Sequence, residues 1–173
     1  LALVEELTEK AWQIPFSSRV DSISNYQHTI AEEDDLIVAD LVSDAMTFDQ
    51  QKRQQIREVA VSEPLLVHRL ISTSGHVTAI NVTVQLPGKA LNEVEIVVAA
   101  TRALRDELLA ENPGLKIYLS GLSMMDNSFG ESSKGDMKSL VPMMFLVVIV
   151  VLGILLRSFT ATISTVFIIF SAI

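Results

Sequence analysis

The stretch LVPMMFLVVIVVLGILL, residues 140–156, carries no charge and consists mostly of Val, Leu, Ile and Phe. Such residues contribute roughly −0.3 to −0.6 kcal/mol each at the centre of a membrane span, so the run favours insertion by about 5 kcal/mol. A buried core helix of a soluble protein is the alternative, but it rarely has apolar side chains on every face over this length. The run therefore predicts a transmembrane helix over residues 139–156. Pro142 is expected in its first turn, where a missing amide hydrogen costs least.

A second uncharged run follows a short interruption. The segment LRSFT carries Arg157 and precedes ATISTVFIIFSAI, which reaches residue 173. We interpret residues 159–173 as the truncated start of another transmembrane helix. Arg157 favours a cytoplasmic turn because positively charged loops stay inside, whereas Lys134 and Lys138 at the other end favour the reverse. Charge alone therefore indicates only weakly that the preceding domain lies outside.

Charge divides the chain into two parts. The protein has 173 residues and a formal net charge of −8, and Arg157 is the one charged side chain after residue 138. An acidic chain without clustered Lys or Arg argues against a nucleic-acid partner. The absence of cysteine excludes disulfides and thiolate metal sites. Because the chain starts at Leu1 and stops inside an apolar run, we expect a piece of a longer protein.

Residues 1–138 show the patterns of a mixed helix-and-strand domain. Helices are predicted over residues 1–13, 47–64, 90–114 and 122–138, and strands over residues 18–24, in a hairpin at 65–88, and over 115–121. Thr47 and Gln50 have the spacing of a helix capping box. Residues 25–63 form a polar insertion, and its four consecutive acids are expected in a solvated loop or at a helix start.

Two of these elements have a predicted inner face. In the hairpin, the predicted inner face of the second strand comprises Ile80, Val82, Val84 and Leu86. In the helix at residues 90–114, Glu93 is expected to face away from an apolar stripe. The stripe comprises Leu91, Val94, Val97, Val98, Thr101, Leu104 and Leu108.

The order of elements predicts an α+β fold of the ferredoxin-like, split βαβ type, with helices on one face of a sheet. Its first strand would lie before Leu1. The absence of that strand would leave an exposed sheet edge.

The usual catalytic and metal-binding patterns are missing from the sequence. His28, His68 and His76 are far apart and lack the spacing of paired metal ligands, so surface positions are expected. We predict no catalytic residue, no cofactor and no metal, and therefore no enzyme. Met124 and Met125 fit either an adaptable apolar surface for a lipid-like substrate or packing against a neighbouring subdomain.

Three segments carry a family resemblance. They are VTAINVTVQLPG at residues 77–88, AATRALRDELLAENPGLKIYLSGL at residues 99–122, and DMKSLVPMMFLVVIVVLGILLRSF at residues 136–159. In this order they resemble the first extracytoplasmic loop and second membrane span of the resistance–nodulation–division (RND) superfamily, in its MMPL-like exporter branch. The resemblance extends from about residue 19 onward and is weakest over residues 25–63.

The resemblance implies a polytopic, proton-driven exporter of hydrophobic or amphipathic substrates such as lipids. It places a βαββαβ porter domain over residues 1–121, followed by a connecting helix at 122–138, outside the bacterial cytoplasmic (inner) membrane. The implied partners are membrane lipids, the remaining domains and spans of the same transporter, and further copies in a homo-oligomer. In the family, acids of a later span relay protons, and Glu131 and Asp136 do not match that position.

Gly130 and Gly135 are candidate hinge residues in the connecting helix, because glycine weakens a helix interior. The alternative is a helix that merely tolerates both glycines. Two other functions remain open from the sequence: a membrane-tethered extracytoplasmic sensory or ligand-binding module, and a protein-translocation accessory of the same superfamily.

Overall fold

The computed structural model of the chain describes residues 1–32, 35–157, 163–165, 167–168 and 171. In chain order its elements are α1 (Ala2–Ala11), β1 (Ser17–Asp21), β2 (Gln27–Glu32), β3 (Asp35–Asp40), a 3₁₀ turn (Ala45–Thr47), α2 (Gln50–Ser62), β4 (Asn81–Val84), α3 (Glu93–Glu111) and α4 (Leu122–Leu156). The chain divides into two compact units, Leu1–Leu119 and Ser120–Ile173. The predicted mixture of helices and strands is confirmed at the level of helices with small antiparallel sheets and one long apolar helix.

One hydrophobic cluster of the first unit joins α1, α3 and the sheet formed by β1 and β4. The two strands are antiparallel, with Val20 opposite Val82. Its buried members are Ala11, Ile14, Val20 and Val97. Ile80, Val82 and Val84 pack against the same cluster, which confirms their predicted common face. Leu86, predicted on the same face, lies after β4 and is 39% exposed.

A second cluster draws most of its members from residues 25–63. Its buried members are Ile23, Leu41, Val42, Ala45, Ile56, Ala60, Leu66 and Ile71. The segment predicted as a polar insertion therefore supplies core side chains as well as polar surface. The predicted capping box is wrong: the Asp49 side chain caps α2 by accepting a hydrogen bond from the Lys52 amide at 2.7 Å.

The two outer residues of the acidic run lie in strands: Glu32 ends β2 and Asp35 begins β3. Strands β2 and β3 pair antiparallel, from Gln27 opposite Asp40 to Glu32 opposite Asp35. Residues 33 and 34 of the acidic run lie outside the described residues. Charge at the end of a ribbon is easily solvated, and it also discourages pairing with another strand.

Two strand predictions are wrong. Residues 65–88 form no continuous hairpin, because β4 pairs with the distant β1 and its inner face joins the cluster there. An isolated antiparallel bridge joins Ile71 to Thr78 across the predicted turn, and the other preceding residues fold into turns, with His68 and Gly75 in left-handed backbone conformation. Residues 115–120 are not hydrogen-bonded as a strand within the described chain, although their side chains alternate between half-buried and exposed.

Helix α1 is fixed to the rest of its unit by polar contacts on several sides. The Glu5 carboxylate accepts hydrogen bonds from the Asp44 amide at 2.8 Å and the Ala45 amide at 2.9 Å. The Lys10 ammonium lies 2.9 Å from Glu107 of α3. Two hydrogen bonds raise the pKa of Lys10: the bond to Glu107 has the larger effect and the bond to Glu6 the smaller one.

Three buried hydroxyl groups close the remaining side of α1. Thr8 Oγ1 donates to Ser22 Oγ at 2.9 Å, and Ser24 Oγ donates to Thr8 Oγ1 at 2.9 Å. The Ser22 and Ser24 hydroxyls are 2.6 Å apart. Because each hydroxyl has a partner, the burial of three polar side chains leaves none of them unsatisfied.

Glu93 is buried, which contradicts its predicted outward orientation. Its carboxylate accepts hydrogen bonds from the Gly88, Lys89 and Ala90 amides at 2.8, 2.7 and 2.9 Å. Gly88 has a left-handed φ of 69°, which brings these three N–H groups to one side. Leu91 precedes α3 and is fully exposed, so its place in the predicted stripe is also wrong.

Two opposing effects act on the Glu93 carboxyl. Burial raises its pKa, but the three backbone hydrogen bonds lower it, and the pKa lies below the ordinary value. A depressed pKa means that folding favours the charged form. This stabilisation is complete above the ordinary glutamate pKa of about 4.3 and is lost as the pH falls through the lower folded value.

We predict that Glu93→Gln lowers the midpoint of thermal unfolding at pH 7, because the neutral glutamine side chain accepts hydrogen bonds from the three backbone N–H groups less well than a carboxylate does. The difference from the unsubstituted protein should shrink as the pH falls below about 4. Fluorescence of Trp12, the single tryptophan, reports unfolding of this unit. Glu111→Gln, an exposed substitution on the same helix, is the control. Equal midpoints for Glu93→Gln and the control at pH 7 would contradict the prediction.

Candidate functional site

Helix α4 is one unbroken helix from Leu122 to Leu156. The sequence predicted a connecting helix over residues 122–138 that leads into a membrane span over residues 139–156, and in the structure both segments form one helix. At 1.5 Å per residue the helix is about 52 Å long, whereas the hydrocarbon core of a bilayer is about 30 Å thick. The helix therefore has enough length for a membrane span and for several turns beyond it.

The two halves of α4 differ in chemistry. Residues 122–138 contain the acidic and basic side chains of the helix, and residues 139–156 contain no charged side chain. Large apolar side chains of the second half are exposed, from 38% at Ile149 to 72% at Leu155. A core helix of a soluble protein would bury these side chains. Their exposure disfavours that alternative and fits a lipid environment.

The end of α4 lies where the sequence predicts an interruption. Arg157 adopts a left-handed conformation with φ 47°, and its amide donates to the Gly153 carbonyl at 3.2 Å. Most of the predicted second span at residues 159–173 lies outside the described residues. Within it, residues 163–165, 167–168 and 171 are helical.

The candidate hinge residues both lie inside α4. A methyl group added at Gly130 or at Gly135 would have nothing within 4 Å. Neither glycine is therefore required by close packing, and each one lowers helix stability by about 1 kcal/mol relative to alanine. Their role as a hinge remains a prediction, and the open space makes it testable without steric interference.

The candidate methionines do not share one surface. Met124 is half-buried and Met125 is 52% exposed. Neighbouring helix residues point about 100° apart, so Met125 instead shares a face with Leu122 and Phe129, which are 70% and 66% exposed. No prediction from the sequence included this apolar stripe of Leu122, Met125 and Phe129, although its spacing of three and four residues is typical of one helix face.

Pro142 lies in the interior of α4, so its expected place in a first turn is wrong. The helix begins twenty positions earlier because residues 122–138, despite their two glycines, continue into the apolar run without a break. Pro142 lines a shallow apolar groove on this half of the helix. The groove is lined by Val141, Pro142, Phe145, Leu146, Ile149 and Val150.

The described residues offer no evident centre for metal chemistry. No three His, Asp or Glu side chains among them are grouped closely enough to hold a metal ion. His68 and His76 are exposed, as predicted, and His28 is half-buried. Of the helices in this part of the chain, α4 is the one long and apolar enough to cross a membrane.

The family model described as "MMPL family" matches residues 10–172. The chain belongs to the MMPL family. MMPL is a family of membrane transporters within the RND superfamily rather than a family of enzymes, which agrees with the resemblance found in the sequence. The comparisons with curated proteins and with solved structures give no match. Within this MMPL chain, α4 is accordingly interpreted as a helix that enters the membrane.

We predict that replacing Gly130 and Gly135 together by Ala stabilises the first half of α4. Each substitution should add about 1 kcal/mol to the stability of the helix. A gain of that size slows amide hydrogen exchange through local opening about fivefold. Hydrogen exchange of the amides around both positions is the measurement. Gly153→Ala, which also has open space around its methyl group, is the matched control in the apolar half. Unchanged exchange around residues 130–135 would contradict the prediction.

Proposed function

We propose that this chain is part of a proton-driven exporter of hydrophobic or amphipathic substrates such as lipids. Residues 1–138 lie on the extracytoplasmic side of a bacterial inner membrane, and residues 139–156 span that membrane. The unit Leu1–Leu119 contributes to a ferredoxin-like porter domain, with residues 115–120 available as one of its strands. Membrane lipids and the remaining domains and spans of the transporter are its partners.

The observation that carries this proposal is the continuity of α4. A charged, water-compatible helix passes into an exposed apolar one without an intervening loop. A flexible loop at that boundary would allow the span to tilt without moving what precedes it. A continuous helix instead couples the two segments and confines their relative movement to bending at defined points along it. Such coupling suits alternating access by rocking of one part of a transporter against another.

The junction at the start of α4 supports the same mechanism. Only Ser120 and Gly121 separate Leu119, the last residue of the first unit, from the helix. Gly121 has a φ of 119°, a conformation that other residues rarely adopt. The link between the last residue of the first unit and the helix is therefore two residues long.

The proposed orientation predicts which thiols a membrane-impermeant reagent reaches in intact cells. The chain has no cysteine, so each variant carries a single thiol within it. Ser74→Cys should react in intact cells because Ser74 is exposed and belongs to the first unit. Ser158→Cys should react only after the membrane is permeabilised, because it adjoins Arg157, which favours a cytoplasmic turn. The reverse pattern would overturn the extracytoplasmic placement.

The proposed transport predicts a loss of export when the first half of α4 is stiffened. In the full transporter, lipid export by inside-out vesicles should depend on the proton gradient and stop with a protonophore. The double substitution Gly130→Ala and Gly135→Ala should lower the export rate at an unchanged protein level in the membrane. Gly153→Ala should have little effect. Export without a proton gradient would contradict proton coupling, and full export by the double variant would remove the glycine hinge.

A further inference from the structure

The hydrogen-bond ladder of α4 has a gap where the helix changes from polar to apolar. Pro142 has no N–H group, so the Lys138 carbonyl, four residues earlier, lacks its usual helical donor. The proline ring also crowds this carbonyl. Sharp bends in helices occur at such positions. The gap therefore marks the place where α4 bends most easily.

Ser139 weakens the same turn by a second, independent contact. Its hydroxyl donates to the Gly135 carbonyl at 3.2 Å and also lies 3.4 Å from the Asp136 carbonyl. A serine that bonds back to the preceding turn competes with the backbone amide for that carbonyl and often bends the helix. The weakened bonds of Gly135, Asp136 and Lys138 thus follow one another along a single turn.

The position of the gap relative to the charges explains how the helix tolerates it. Lys138 is the last charged residue before the uncharged run that extends to Arg157. Its carbonyl is therefore at the water-side end of the run, where water can hydrogen-bond to it. A proline deeper in the run would strand an unpaired carbonyl in hydrocarbon, which is strongly unfavourable. Proline at position 142 therefore weakens the helix, while the Lys138 carbonyl that it leaves without a donor stays within reach of water.

We infer that Pro142 is the pivot of α4, a positioning residue at which the water-side half of the helix changes its angle to the membrane-side half. Its role in export rests on the proposed function, whereas the pivot itself is a property of this helix. The backbone gap, rather than the bulk of the ring in the apolar groove, is the active feature. Variants that restore the amide should therefore straighten α4 whatever side chain they carry.

Distances between spin labels test the pivot in the full chain in lipid nanodiscs. Labels at Ser128→Cys and Ile154→Cys flank Pro142 at exposed positions, and a straight helix separates the two backbone positions by about 39 Å. We expect a broad distribution with shorter distances in the unsubstituted helix. Pro142→Ala and Pro142→Leu should both narrow it towards the straight-helix value. Ser139→Ala should narrow it partly.

Leu146→Ala is the matched control, because it removes apolar bulk from the same groove and keeps the hydrogen-bond ladder intact. It should leave the distance distribution unchanged. The pivot would be overturned if Pro142→Ala and Pro142→Leu both gave the same distance distribution as the unsubstituted helix. The pivot would also be overturned if Leu146→Ala changed the distance distribution as much as Pro142→Ala does. The bulk of the ring, and not the missing amide, would then be responsible.

Export by the full transporter separates the pivot from the proposed function. Because both variants remove the pivot, Pro142→Ala and Pro142→Leu should lower lipid export several-fold relative to the unsubstituted transporter, at an unchanged protein level. Full export by a straightened helix would overturn the role of the pivot in transport. Absence of proton-dependent export in the unsubstituted transporter would overturn the proposed function instead, while narrowed distances in both proline variants would still support the pivot.

Discussion

The backbone of a chain in hydrocarbon must satisfy its own hydrogen bonds, and this requirement governs the second unit of the protein. An uncharged run of this length can meet the requirement alone only as a helix. The apolar side chains of α4 are exposed in every turn of its second half, so lipid rather than protein is their suitable surroundings. The polar first half has no such requirement. It continues the same helix, so the charged and uncharged halves of α4 are joined without a loop.

The first unit meets the same requirement for buried polar groups in a different way. Two carboxylates accept hydrogen bonds from backbone amides: the half-buried Glu5 from Asp44 and Ala45, and the buried Glu93 from the turn before α3. Each contact joins a helix to an irregular segment that has few backbone hydrogen bonds of its own. The acidic side chains thus fix turns that regular secondary structure leaves unsupported.

Local patterns predicted the helices well and the strand pairing poorly. Helices α1 and α3 follow from spacings of three and four residues, and the apolar half of α4 follows from the length of its uncharged run; both signals are visible in the sequence. The pairing of β4 with β1 joins segments some sixty residues apart, and neighbouring sequence cannot reveal it. Glu93 was misplaced for a related reason, since its donors lie on a turn whose shape depends on the left-handed Gly88. Gly130 and Gly135 could be named from sequence, but the pivot could not, because Pro142 became interior only when the polar segment proved continuous with the span.

The glycines and the proline weaken α4 by different physical means. Glycine adds backbone freedom and leaves every hydrogen bond in place, so it softens the helix without selecting a direction. Proline removes one specific bond and crowds one carbonyl, so bending at Pro142 opens the helix on the side of Lys138. A transporter that rocks between two states gains from the second property, because a directed bend connects two defined arrangements. In the proposed placement, Pro142 lies near the boundary of water and lipid, where a missing hydrogen bond is tolerated in hydrated surroundings and a bend acts directly on the span.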